Sequence, residues 1–140
     1  MQQQTDAVNR HNPPELWFRG VESALVRRGV VTATVRIGKR DACDPKGYVV
    51  GDLVLIKFYE RHHPDDRPVD IVWSRVVNVR ITALETIQRE DLSGCPEMES
   101  TLPALVVHLT RCYEREIAAR EPLTIVHFSF SHEAGSGEEV

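Results

Sequence analysis

Between Gly29 and Gly38 the chain alternates Val31, Ala33, Val35 and Ile37 with Thr32, Thr34 and Arg36. A period of two in a β-branched run predicts a strand over Val30–Ile37, with one apolar and one polar face. The apolar face demands a core on one side. The polar face, two hydroxyls and a guanidinium, needs an explanation of its own.

The segments around this strand extend the pattern. Upstream, Asn12-Pro13-Pro14-Glu15 reads as a helix start, with an amide to cap free donors and prolines where no donor is needed. The helix is expected to run to about Arg28, with Trp17, Val21, Ala24 and Leu25 on one side and Gly29 as its terminator. Downstream, Gly38 to Gly47 is a charged loop and Gly51-Asp52 a turn into a second strand, Leu53–Tyr59. Arg61 to Pro68 connects it to a third strand, about Val69–Ile81, long enough to bend or bulge. Ser100 and Thr101 can cap a helix from Leu102 to about Glu114, whose apolar stripe leaves His108 and Arg111 elsewhere, and Leu123–Phe130 is the last strand.

Helix, strand, strand, strand, helix, strand is not the alternation of a parallel α/β fold. The predicted class is mainly β with helices: a closed, mostly antiparallel β-barrel with two flanking helices. Polar residues 1–12 are expected to form a mobile arm, residues 13–130 the domain, and the Gly/Ser/Glu-rich residues 131–140 a disordered tail.

Composition narrows the partners. A chain of 140 residues with 41% hydrophobic and 27% charged residues can bury a core unaided. No apolar run is long enough to span a bilayer, so no membrane partner is expected. Cys43, Cys95 and Cys112 fit neither a disulfide framework nor a metal knuckle, which points to reduced thiols and a cytoplasmic setting. His62, His63, Asp65 and Asp66 lie adjacent on one turn, where neighbouring side chains point apart, so no metal or cofactor is expected. A formal net charge of −4 argues against a uniformly basic coat, yet Arg27, Arg28, Arg36, Lys39 and Arg40 gather in one stretch and suggest a basic face. The glycine patterns of nucleoside triphosphatases and dinucleotide enzymes, the serine-hydrolase elbow and zinc-protease motifs are all missing.

The succession of segments resembles the ASCH family, relatives of the PUA RNA-binding fold. The aligned run is Gly29-Val30-Val31-Thr32-Ala33-Thr34-Val35-Arg36, against a family pattern of G-x-K-x-x-E-x-R. Glycine and arginine match; Val31 stands at the lysine and Thr34 at the acid. Gly51-Asp52, the stretch from Trp73 to Ile81 with acidic residues after it, Cys112-Tyr113 and the strand Thr124–Phe130 extend the likeness from about Trp17 to Phe130. The resemblance implies a PUA-like barrel with a cleft along the first strand's polar face, and binding of RNA. Some members are hydrolases that deacylate a modified cytidine with a lysine, a threonine and a glutamate, or that cleave single-stranded RNA. Here Thr34 coincides with the threonine, while the glutamate lies near Glu97 or Glu99 without a secure counterpart.

Three functions follow as expectations. The first is a module binding single-stranded RNA or a nucleotide or nucleoside, as a monomer or weak dimer. Arg36 would hold a phosphate or lie on a base, Thr32 and Thr34 would hydrogen-bond, and Lys39, Arg40, Lys46 and Lys57 would meet phosphates, with Trp73 and Tyr48 available for stacking. The second is a hydrolase with Thr34 as nucleophile, which needs a titratable partner beside that hydroxyl, with Lys39 or Lys57 the nearest candidates. The third is a protein-interaction module using the acidic segment and tail.

Overall fold

A computed structural model describes residues 13–41, 47–60 and 67–130. The expected arm and tail, Cys43, Lys46 and the His62, His63, Asp65 and Asp66 turn lie outside the described residues. The elements are β1 (Glu15–Arg19), a 3-10 turn (Gly20–Glu22), α1 (Ser23–Arg27), β2 (Ala33–Ile37), β3 (Leu53–Tyr59), β4 (Asp70–Thr82), two further 3-10 turns (Arg89–Leu92 and Glu97–Glu99), α2 (Leu102–Tyr113) and β5 (Leu123–Ser129).

The helix expected from Asn12 is corrected at its front half. Leu16 and Phe18 point into the core while Trp17 and Arg19 face out, so the segment has period two and forms β1, in parallel pairing with β3. Only Ser23–Arg27 is α-helical, and Gly29, at φ +75°, ends the turn as a glycine at positive φ should.

The five strands make one mixed sheet in the order β1-β3-β4-β5-β2; β1–β3 is parallel and the other pairings are antiparallel. A register shift between Val76 and Asn78 bends β4, as its length led us to expect. Curled, the sheet packs Leu16, Phe18, Ile56, Phe58 and Phe128 on its concave side, and α2 covers the opposite side of β2 and β5 with Leu105 and Leu109 against Val35 and Ile125. β5 is therefore buried on both faces, which explains why apolar residues stand on both, Leu123 and Ile125 on one and Val126 and Phe128 on the other.

The expected closed barrel does not form. The sheet is an open half-barrel flanked by two helices, with β1 and β2 as its edges. The reason is chemical: the β2 edge spends its donors on side chains. Val35 N–H donates to Glu99 Oε1 at 2.9 Å and Ile37 N–H to the Tyr113 hydroxyl at 3.3 Å. With those donors occupied, a backbone ladder to β1 is blocked at these positions, and the edge is covered rather than extended.

Candidate functional site: the seam between the edge strands

Arg36 bridges the open seam. From β2 its Nη2 donates to the Trp17 carbonyl of β1 at 2.7 Å, and its Nη1 donates to the Val35 carbonyl at 3.0 Å and to Thr34 Oγ1. The guanidinium also lies 5.6 Å from the centre of the Phe18 ring. The planar donor fork thus replaces part of the missing ladder.

Behind it, Thr34 and Glu99 form a buried pair. Thr34 Oγ1 donates to Glu99 Oε1 at 2.9 Å and reaches Oε2 at 3.1 Å, while His108 Nε2 stands 3.6 Å from Oε2. Burial pushes the Glu99 carboxyl up; Arg36 and the bonds from Val35 and Thr34 pull it down, Glu22 pushes up again, and the net shift is upward. Glu99 comes from the short 3-10 turn Glu97–Glu99, placed just ahead of α2 by the Thr101 cap, whose hydroxyl accepts from Ala104 N–H.

A cavity of about 170 Å³ opens in front of this network. Trp17, Phe18 and Tyr113 supply aromatic wall, Arg36 and Glu99 the floor of the seam, and Glu22 a second buried carboxylate. Glu22 Oε2 accepts from Arg19 at 2.9 Å, but Oε1 is buried with no hydrogen-bond partner among the described residues. His108 and Cys112 form the α2 side, with the Cys112 sulfur 3.7 Å from either ring nitrogen. Burial pushes the Cys112 thiol up, which keeps it protonated.

Of the residues singled out from the sequence, Arg36 lines the cavity and Thr34 supports it from behind, fully buried. Thr32 sits under a neighbouring loop: its N–H donates to the Gly94 carbonyl at 2.7 Å, and its hydroxyl fills the space a side chain at Gly94 would need. Val31, at the family's lysine position, is packed in the core. Lys39 is exposed beyond β2, and Arg40 folds back to the Ile37 carbonyl at 2.8 Å. Lys57 pairs with Glu15 at 2.9 Å and shares the convex sheet face with Trp73, away from the cavity lining. Tyr48 is buried, its hydroxyl on the Glu15 carbonyl, so it offers no stacking surface.

Glu22, His108 and Trp17 were missed as site residues. Trp17 and Glu22 fall inside the expected first helix, and His108 is expected on the solvent side of the second, α2, whereas it is largely covered and faces Glu99. The one available signal for Glu22 was a carboxylate amid apolar neighbours in Val21–Leu25.

No protein family matches the chain, and no curated protein is significantly similar to it. Solved structures do match, and the class they define is the ASCH and DUF984-like fold. An ASCH domain from Lactobacillus crispatus shares 12% identity over 92% of this chain and 90% of its own, with a TM-score of 0.54. A DUF984 protein from Enterococcus faecalis shares 13% over 93% and 85%, with a TM-score of 0.57. At such identity the likeness is one of fold.

Proposed function

We propose that this chain is a binding domain for RNA or a nucleotide, and that the seam cavity receives a single nucleobase. The observation that carries the reading is the cavity itself, walled by Trp17, Phe18 and Tyr113 and bordered by the buried Glu22 and Glu99 carboxylates. A carboxylate oxygen accepts hydrogen bonds from ring or exocyclic N–H groups, as it does from cytosine N4. Size supports the same ligand: about 170 Å³ is close to the roughly 150 Å³ that holds one benzene ring, so a base fits and a whole nucleotide does not. Two carboxylates beside the cavity disfavour a phosphate inside it, which leaves Arg36 as a wall and Lys39 and Arg40 as distant sources of attraction. A cytoplasmic setting agrees with the free Cys95 and Cys112.

Titrating the full chain with the four ribonucleoside 5′-monophosphates, read by tryptophan fluorescence, tests this. At least one should saturate, and Glu22→Gln should weaken it about tenfold. If no nucleotide binds up to millimolar concentration, the reading is wrong.

Hydrolysis is a second reading, favoured by the carboxylate 2.9 Å from the Thr34 hydroxyl, where a general base belongs. Against it, that hydroxyl is fully buried and is not part of the cavity lining. Turnover of an N-acylated nucleoside by wild-type protein, lost in Thr34→Val, would establish it.

A further inference from the structure

The convex face of β1, β3 and β4 mixes charged side chains with large exposed apolar ones, more apolar area than a solvated sheet face usually presents. Adjacent rows read Trp17–Lys57–Ile71 and Glu15–Leu55–Trp73 across the three strands, followed by Leu53–Arg75. Trp17 is 48% exposed, Ile71 45% and Trp73 38%, exposed apolar area of the kind that marks a binding surface, with the Lys57–Glu15 pair between Trp17 and the two β4 side chains. Among the described residues, Arg19, Lys57 and Arg75 share this face with one carboxylate, Glu15, and Arg19 also pairs with the buried Glu22, whereas the whole chain carries a formal −4. Lys57 and Trp17 both hydrogen-bond Glu15, which neutralises the one acid present.

Trp17 also lines the seam cavity, so cavity and face are continuous. A base in a cavity of one-ring size must leave its sugar and phosphate outside, at the lip where Trp17 stands. From there Trp73 is two strand spacings away, on the order of 10 Å, a distance covered by a few nucleotides of unpaired strand.

We propose that the convex face of β1, β3 and β4 is a stacking platform for single-stranded nucleic acid, with Trp17 and Trp73 taking bases that flank the one in the seam cavity. This rests on the nucleobase reading of the cavity and extends it from a nucleotide to a strand. Aromatic side chains flanked by cations form such platforms because every base has a π-face to stack and every linkage a charge to neutralise.

Fluorescence anisotropy of the full chain with labelled single-stranded RNA of two to eight nucleotides, beside mononucleotide titrations and a duplex control, tests the platform. Affinity should rise at least tenfold from mononucleotide to hexamer, with the duplex weaker. Trp73→Ala should lower hexamer affinity about tenfold and leave mononucleotide binding unchanged, its fold checked by thermal melting. Equal affinity for mononucleotide and hexamer, or a hexamer indifferent to Trp73→Ala, overturns the platform and leaves the cavity reading standing. Hexamer binding that needs Trp73 while no mononucleotide binds supports the platform and removes the cavity. If sedimentation shows a wild-type dimer that Trp73→Ala dissociates without affecting RNA, the face is an interface between copies and the proposal fails.

Discussion

The Glu99 carboxylate sits where burial and hydrogen bonding pull its proton in opposite directions. Thr34, Val35 N–H, Arg36, His108 and the like-charged Glu22 all bear on it, and its pKa ends above the ordinary 4.5. The folded chain therefore binds a proton that the unfolded chain releases, and stability falls as pH rises from 4.5 through the folded-state value. Chemical denaturation across that interval should show the decline in wild type, and Glu99→Gln should flatten it. Glu99→Ala is a different matter, because it strands the Thr34 hydroxyl and the Val35 N–H in a dry site. It should cost about 2–4 kcal/mol at neutral pH, measured by the same denaturation. Little of this was legible beforehand: Arg36 and Thr34 stood out on a polar strand face, whereas Glu22 and Glu99 look like surface acids until distant segments close over them.

The elements were more legible than their contacts, and the exception is instructive. β3, β4, α2 and β5 announce themselves by local period, and α2 by its Thr101 cap. β1 carries a local helix-start signal at Asn12-Pro13-Pro14-Glu15, yet pairing with β3, some forty positions later, decides its conformation. α1 is similarly held from afar: Arg27 makes a two-pronged pair with Asp70 of β4 at 2.9 and 2.8 Å, and Ser23 donates to the same carboxylate. The Arg27 bonds, with help from Ser23 and against partial burial, lower the Asp70 pKa from 3.8 to about 2. This contribution is complete above 3.8 and is lost as pH falls through about 2, opposite in sign to that of Glu99. Because the pair is largely solvated, Asp70→Asn should cost only about 1 kcal/mol at neutral pH, and it should erase the slope between pH 4 and 2 in acid titrations followed by circular dichroism. At the other helix, α2 ends on Glu114 at φ +55°, a left-handed conformation that disfavours a β-carbon. Glu114→Gly should therefore raise stability by about 0.5–1 kcal/mol, seen as a higher melting temperature.

For the whole molecule, openness is the property that local patterns could not reveal. Alternating strands predict a curved sheet with a buried face, but whether the first and last edges meet depends on which donors are already taken. Here Glu99 and Tyr113 occupy the β2 edge, and Arg36 spans to the Trp17 carbonyl in place of a ladder. β1 is thus tied to the sheet through β3 on one side and to β2 by a single side chain on the other. β4 and β5, by contrast, are paired on both sides. Protection from hydrogen exchange should follow this asymmetry, with β4 and β5 amides the slowest to exchange. Arg36→Met keeps the bulk over Phe18 while removing the donors that hold the seam. It should speed exchange in β1 amides severalfold and leave β4 and β5 amides at their wild-type ratio to global unfolding. If Arg36→Met instead accelerated all strands equally, the guanidinium would be acting on global stability and the seam would be held by packing alone.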